Sequence, residues 1–128
     1  MLLDTNIVIH ACQPGSEWLS EWTDDPAAAI ASVTRIEALG FTGISREEEG
    51  AIRGFLDDSI CHALDEAVIE RAISLRQNRK MGAMDAIIAA TALEYDLTLV
   101  TRNTEDFKHV ENLKLVNPFA ARKQTPPP

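Results

Sequence analysis

Apolar segments and polar turns alternate along the whole chain. Short apolar runs bounded by turn residues predict buried strands, and five are present, at residues 1–3, 27–32, 60–64, 97–101 and 113–116. Helical patterns separate these runs. We therefore expect an α/β domain with three layers, α/β/α, and a mostly parallel five-stranded sheet whose first strand is central.

Helices are predicted in the segments between the strands. Residues 7–11 form a short one, and Ser16 is expected to cap a second one that ends before Asp24. Helices at 33–40 and 84–93 and two that follow the caps Ser45 and Asp65 complete the set. The helix at 84–93 is apolar nearly all round, which predicts that it is buried.

Length and composition limit the class of protein. A chain of 128 residues is long enough for one domain with a real core. We expect the domain to span residues 1–120, followed by a disordered tail at 121–128. No signal peptide or membrane span is expected, and two cysteines are too few for a disulfide framework, so a cytoplasmic setting is predicted. The net charge of −8 argues against a simple basic nucleic-acid-binding face.

Polar side chains appear where several buried elements begin or end. Asp4 follows the first strand, Glu37 lies in the helix after the second strand, and Asp85 opens the apolar helix. Asn103 and Asp106 lie in the loop that leaves the fourth strand. Because the carboxyl ends of parallel strands share one edge, these groups are candidates for a single site there.

Each of these residues also has a purely structural interpretation. Asp4 is a good cap or turn residue, and the pattern from Thr34 to Glu37 matches a capping box. An acid in a first helical turn, as at Asp85, is favoured by the helix dipole. Asx turns explain Asn103 and Asp106.

The joint pattern favours a cation site. Clustered carboxylates raise one another's pKa and persist together where a hard cation needs oxygen ligands. No cluster of His or Cys favours zinc, because His10, His62 and His109 are scattered along the chain. The pattern therefore points to Mg²⁺, for which Mn²⁺ can substitute.

Five motifs in order resemble the PIN domain family, and within it the VapC-type toxins of toxin–antitoxin systems. They are LLDTN at 2–6, the helical Glu37, MDAIIAATA at 84–92, LVTRNTEDF at 99–107 and VNPF at 116–119. The resemblance covers the chain from residue 1 to about residue 119. It implies a metal-dependent ribonuclease with a five-stranded parallel sheet.

The resemblance also implies roles for particular residues. Asp4, Glu37 and Asp85 match the acidic metal ligands, whereas the position of the fourth acid is occupied by the amide Asn103, so that Asp106 is the alternative fourth ligand. We expect Asp4, Glu37, Asp85 and Asp106 to be catalytic. Residues expected to orient ligands or waters are Thr5, Asn6 and Thr101, and candidate phosphate contacts are Arg79, Lys80 and Arg102.

The resemblance implies partners as well, namely an RNA substrate, a small antitoxin protein and a second copy of the chain. Two other functions remain open at this point. Asn103 favours an inactive PIN-like binding module. A phosphatase of the haloacid-dehalogenase type also has an aspartate after its first strand, but usually a second aspartate two residues later, where this chain has Asn6.

Overall fold

Residues 1–120 are described by a computed structural model, in which five short strands form one sheet. The strands are β1 (Leu2–Leu3), β2 (Ala29–Ala31), β3 (Ile60–His62), β4 (Leu99–Val100) and β5 (Leu115–Val116). All pairings are parallel and the order is β3-β2-β1-β4-β5, with Leu2 in register with Ala29 and Leu99. The predicted parallel sheet with a central first strand is confirmed.

Helices cover both faces of the sheet. They are α1 (Thr5–Ala11), α2 (Ser20–Thr23), α3 (Thr34–Leu39), α4 (Arg46–Asp57), α5 (Glu66–Asn78) and α6 (Ala83–Glu94). Short 3₁₀ helices at Glu17–Leu19 and Thr104–Asp106 precede α2 and follow β4. No helix within residues 1–120 combines the length and the apolar character needed to cross a membrane.

Alternation along β1 places its two residues in different layers of the core. Leu2 packs with Leu99 and the α6 residue Ile88, whereas Leu3 packs with Val100 and the α1 residue Val8. Both leucines are fully buried. Alanines of α6 also pack against α5, so α6 is enclosed by the sheet on one side and by a helix on the other. The predicted burial of this helix is confirmed.

Several predicted boundaries shift. The first helix begins at Thr5 instead of residue 7, because Asp4 caps it. Ser16 lies at the N-cap position of the 3₁₀ helix Glu17–Leu19, as predicted, but its side chain forms no capping bond, since its hydroxyl donates to the carbonyls of Ala11 and Gln13. The caps at Ser45 and Asp65 are confirmed by hydrogen bonds to the backbone three residues later.

The strands are shorter than predicted, and β3 lies at an edge of the sheet, where Ile60 is 48% exposed. An edge strand has a neighbour on one side only, so its residues are less buried than those of β1. Both cysteines are free thiols. The predicted tail at 121–128 lies outside the described residues.

Candidate active site

Asp4 lies where β1 ends, at the centre of the carboxyl edge of the sheet, and it is 7% exposed. Its Oδ1 accepts a hydrogen bond from the Thr5 backbone N–H at 2.8 Å, which caps α1. Its Oδ2 accepts hydrogen bonds from the Thr101 hydroxyl at 2.8 Å and from the Asn6 amide at 3.3 Å. The prediction that Asp4 caps a helix is confirmed, and the carboxylate that forms this cap is held at the sheet edge.

Burial raises the pKa of the Asp4 carboxyl above its ordinary value, and the nearby charge of Glu37 raises this pKa further. The hydrogen bonds from Thr101, Thr5 and Asn6 act in the opposite direction, but burial is the largest effect. A buried carboxylate is costly to ionise unless a positive charge accompanies it. The surroundings of Asp4 therefore favour either a bound proton or a bound cation.

Glu37 reaches the same edge from α3. Its Oε1 accepts a hydrogen bond from the Thr5 hydroxyl at 2.8 Å, and that hydroxyl lies 3.3 Å from the hydroxyl of buried Thr34. The capping-box interpretation is wrong, because Val33 is the N-cap residue of α3 and no side chain caps this helix. Glu37 is bound instead to a residue 32 positions away.

Asp85 lies in the first turn of α6, after Gly82, which offers no capping side chain. Partial burial raises the pKa of Asp85, and the charges of Asp4, Asp106 and Glu37 raise it further, in that order of size. Acids from four separate elements therefore lie near enough for their charges to act on Asp85. Their roles as a single metal site remain a prediction.

The loop after β4 contributes both candidates for the fourth position. Thr101 is fully buried, and its hydroxyl accepts a hydrogen bond from the Asn103 backbone N–H at 3.0 Å while donating to Asp4. The Asp106 N–H donates to the Asn103 carbonyl across the 3₁₀ turn at 3.0 Å. Of the two side chains, Asp106 is the one whose charge acts on Asp85.

Asn6 links the acidic edge to Arg102. Its amide donates to Asp4, and its Oδ1 accepts a hydrogen bond from the Arg102 backbone N–H at 3.2 Å. Thr5, Asn6 and Thr101, the residues expected to orient the site, thus all form hydrogen bonds with its carboxylates.

The carboxylates have no positive partner in the part of the chain that the structure describes, where no Lys or Arg forms an ion pair with Asp4, Glu37, Asp85 or Asp106. Nor do three His, Cys, Asp or Glu side chains there form a ready metal-binding group. Mg²⁺ commonly binds through one or two carboxylates and keeps several waters. An open set of oxygen donors fits this ion, whereas zinc normally needs a closed set of nitrogen or sulfur ligands.

The basic candidates differ in position. The Arg102 backbone N–H bonds Asn6 at the acidic edge, whereas its guanidinium lies 4.4 Å from the centroid of the Phe119 ring, with Nη1 3.3 Å from His10 Nε2. Arg79 and Lys80 follow α5 and are exposed. Within residues 1–120 the side chains of these two form no ion pair with the acids.

Sequence reasoning missed three residues around the site. Thr34 was interpreted only as a helix cap, although its burial next to Thr5 supports the position of Glu37. His10 and Phe119 were not assigned to the edge, yet both contact Arg102. His10 lies four positions after Asn6 on α1, about one helical turn away. This spacing could have placed His10 on the same side of the helix as Asn6.

Comparison with known proteins identifies the class. The family model of the PIN domain matches residues 1–113. A protein named Ribonuclease VapC from Rickettsia bellii (strain RML369-C) is 29% identical over 129 residues, which cover 91% of this chain and 94% of that protein.

Solved structures agree with this match. A toxin–antitoxin complex from Klebsiella pneumoniae has a chain that is 32% identical, with a TM-score of 0.75 and coverage of 91% of this chain and 96% of that one. VapBC2 from Rickettsia felis, bound to a DNA fragment from its promoter, is 26% identical with the same TM-score and coverage.

The chain belongs to the PIN domain family. Within that family it is similar to VapC-type toxin ribonucleases, so the resemblance found in the sequence motifs is confirmed. The family match also removes the haloacid-dehalogenase alternative.

Proposed function

We propose that this protein is a Mg²⁺-dependent endoribonuclease that hydrolyses RNA phosphodiester bonds and is the toxin of a type II toxin–antitoxin module. One observation carries the proposal. Carboxylates from four elements meet at the carboxyl edge of the sheet, and no Lys or Arg of residues 1–120 neutralises them in an ion pair. Similarity to a protein named Ribonuclease VapC supports RNA as the substrate class.

In this proposal Asp4 and Asp85 hold Mg²⁺ directly, and Mn²⁺ can replace it. Glu37 and Asp106 act through water or toward a second ion, and Asp106 is favoured over Asn103 because its charge acts on Asp85. A cation held by Asp4 and Asp85 would supply activation of a water for in-line attack and charge stabilisation of the leaving oxygen, so no chemistry at the 2′-hydroxyl would be required.

The surrounding residues fix the orientation of the acids. Thr101 and Asn6 hold one oxygen of Asp4, the Thr5 N–H holds the other, and the Thr5 hydroxyl holds Glu37. Hydrogen bonds of this kind around a metal ligand typically change metal affinity or activity by about 10–100-fold when removed. A bound cation also reduces the repulsion between a protein of net charge −8 and an RNA backbone.

The proposal is tested by incubating total RNA with the purified protein and Mg²⁺ and mapping the new 5′ ends. Asp4→Asn and Asp85→Asn are expected to abolish cleavage, whereas Asp57→Asn, at an exposed position at the end of α4, is the matched control. EDTA is expected to stop the reaction. Cleavage that is unchanged in both site variants overturns the site, and cleavage that persists in EDTA overturns the metal.

A second candidate function is a PIN-like module that binds a partner without turnover. The amide at Asn103 and the absence, within residues 1–120, of a ready three-ligand metal group favour it. Titration calorimetry with Mn²⁺ distinguishes the two functions, because cation binding without cleavage of any RNA supports the module.

A small antitoxin is the proposed protein partner. The relatives from Klebsiella pneumoniae and Rickettsia felis were solved as a toxin–antitoxin complex and as VapBC2. We expect the antitoxin to bring basic residues to the acidic edge, where an Arg side chain and a cation compete for the same carboxylates. Co-purification with the product of a neighbouring gene tests the antitoxin proposal. We further propose a cytoplasmic location, where RNA and such a partner are both present.

We also propose that two copies of the chain pair through an apolar surface formed by α3, α5 and the loop between β3 and α5. Three large side chains are exposed there, Ile36 at 70%, Ile73 at 45% and Leu64 at 39%. Leu64 lines two grooves, one beside Ile36 and one beside Ile73, so the two parts of the surface are continuous. Contiguous apolar surface of this kind typically marks an interaction site.

A further inference from the structure

Three rings and one guanidinium form a cluster around Phe119. The Arg102 guanidinium carbon lies 4.4 Å from the centroid of the Phe119 ring, and its Nη1 lies 3.3 Å from His10 Nε2. The rings of His10 and Trp18 each contact Phe119 edge to face, with centroids 5.0 Å apart. We call His10, Trp18, Phe119 and Arg102 the aromatic pocket.

The aromatic pocket is tied to the proposed reaction site by one side chain. Asn6 donates to Asp4 Oδ2 at 3.3 Å and accepts from the Arg102 N–H at 3.2 Å. On its other side, the Arg102 carbonyl accepts a hydrogen bond from the Asn117 amide at 3.2 Å. The Arg102 backbone is therefore held at a fixed position relative to Asp4.

Arg102 is stacked on a ring and forms no ion pair within the described part of the chain. Among residues 1–120 its guanidinium is in no ion pair, although four carboxylates lie at the neighbouring edge. It is held by a ring face and an imidazole nitrogen instead. Arginine stacked in this way still has N–H groups for a phosphate, which it binds with well-defined geometry.

A small cavity opens beside the rings. It has a volume of about 170 Å³ and is lined by His10, Trp18, Phe119 and the turn at residues 13–16. Pockets that take a whole small molecule are larger, roughly 300–1,000 Å³, so this one suits a single ring system. The Ser16 hydroxyl, which bonds the carbonyls of Ala11 and Gln13, holds the turn that forms its outer wall.

We propose that the aromatic pocket binds one unpaired nucleobase next to the scissile phosphodiester, and that Arg102 binds the phosphate of that nucleotide. The inference rests on the proposed ribonuclease function. Unpaired bases stack on aromatic side chains with little dependence on sequence, and single-stranded RNA is recognised mainly in this way. The protein then selects RNA that is unpaired at the cut and discriminates against a continuous duplex.

The two tryptophans of the chain provide a direct readout. Trp22→Phe leaves Trp18 as the only indole. Trp18→Phe leaves Trp22, which is partly buried against the core and does not line the cavity. Both are made with Asp85→Asn to prevent cleavage. The probe is a short unstructured oligoribonucleotide that contains a cut site mapped with the wild-type protein.

We expect the probe to quench Trp18 fluorescence saturably and to leave Trp22 fluorescence unchanged. If the probe binds, as measured by anisotropy, without quenching Trp18, the pocket assignment is overturned. Quenching of Trp18 by a co-purifying protein partner but not by RNA also overturns it, because the surface is then a protein-docking site.

A scan of single abasic positions in the same probe tests the base itself. In the Asp85→Asn protein, removing one base next to the cut is expected to weaken binding about tenfold, and it should have no further effect when Trp18→Ala is added. Trp18→Phe, which keeps a ring, is expected to restore the sensitivity. Arg102→Gln should lower affinity and reduce the salt slope by about 1, whereas Arg53→Gln, an exposed residue paired with Glu49 on α4, should do neither.

Different results overturn the aromatic pocket and the ribonuclease function. If the wild-type protein cleaves the probe but no abasic position weakens binding, the aromatic pocket is overturned and the ribonuclease function is retained. Failure of the wild-type protein to cleave any RNA overturns the function itself.

Discussion

The Thr101 hydroxyl donates a hydrogen bond to Asp4 Oδ2 at 2.8 Å and thereby joins two residues that are 97 positions apart. Thr101 follows β4 and Asp4 follows β1, and these two strands are neighbours in the sheet. The bond is buried, so water does not replace it easily. It keeps a carboxylate with a raised pKa in one orientation at the sheet edge.

Thr101→Val is expected to impair both folding stability and RNA cleavage. The variant keeps the shape of the side chain but removes the donor to Asp4, which should lower the free energy of unfolding by about 1–3 kcal/mol. The Asp4 pKa should rise further, and cleavage should fall about 10–100-fold. Thr101→Ser keeps the donor and is the control. Urea denaturation and initial cleavage rates measure the two effects, and a wild-type rate in Thr101→Val contradicts the role assigned to this bond.

Asp85→Asn and Asp65→Asn are expected to change stability in opposite directions at neutral pH. The pKa of Asp85 is raised above its ordinary value of 3.8 in the folded state. The fold therefore loses stability as the pH rises from 3.8 through the folded-state pKa and Asp85 ionises. Asparagine removes this cost and should stabilise the fold. The pKa of Asp65 is lowered by its bond to the Tyr95 hydroxyl, so its contribution is present above pH 3.8 and is lost as pH falls through the folded pKa.

Denaturant midpoints measured in EDTA from acidic to neutral pH check this pair. The fall in wild-type stability with rising pH should be smaller in Asp85→Asn, whereas Asp65→Asn should be less stable than wild type at neutral pH. Added Mg²⁺ should then stabilise the wild-type protein more than Asp85→Asn, because binding to the folded state alone raises its stability. Destabilisation of the fold by Asp85→Asn at neutral pH contradicts the proposed electrostatic strain.

Asp106→Asn is expected to weaken Mn²⁺ binding about 10–100-fold, because Asp106 is the loop acid whose charge acts on Asp85. Asn103→Asp adds an acid at the position where the family resemblance places one. It should tighten Mn²⁺ binding, because it adds a further negative charge to the loop that follows β4. Titration calorimetry measures both affinities. The assignment of Asp106 is wrong if its removal leaves affinity unchanged while Asn103→Asp strengthens it.

Ile36→Asp is expected to convert a dimer into a monomer. Ile36 is 70% exposed on α3, so the charge costs little in a free chain but is buried without a partner when a second copy covers it. Light scattering after size-exclusion chromatography measures the mass, and Ile36→Leu should preserve the dimer. A wild-type protein that is monomeric at micromolar concentration contradicts the proposed pairing.

The sequence by itself determined the order of the elements, the parallel sheet and the burial of α6. It also located the caps Ser45 and Asp65 and the acids at the ends of three buried elements. These features depend on periodicity and on hydrogen bonds between residues a few positions apart, which a linear pattern contains. The domain boundary at residue 120 and the metal-ligand roles remain predictions.

Only the tertiary structure decided which partners the acidic residues have. Locally, Thr34 and Glu37 form a capping pattern, but packing of α1 against α3 gives Glu37 a partner in Thr5 instead. Likewise, the sequence identifies Arg102 only as a basic residue in a loop. Its contact with the Phe119 ring forms because residues 117–119 pack beside that loop in the fold. Contacts between residues 17 to 97 positions apart depend on how the helices pack on the sheet, because no local pattern specifies them.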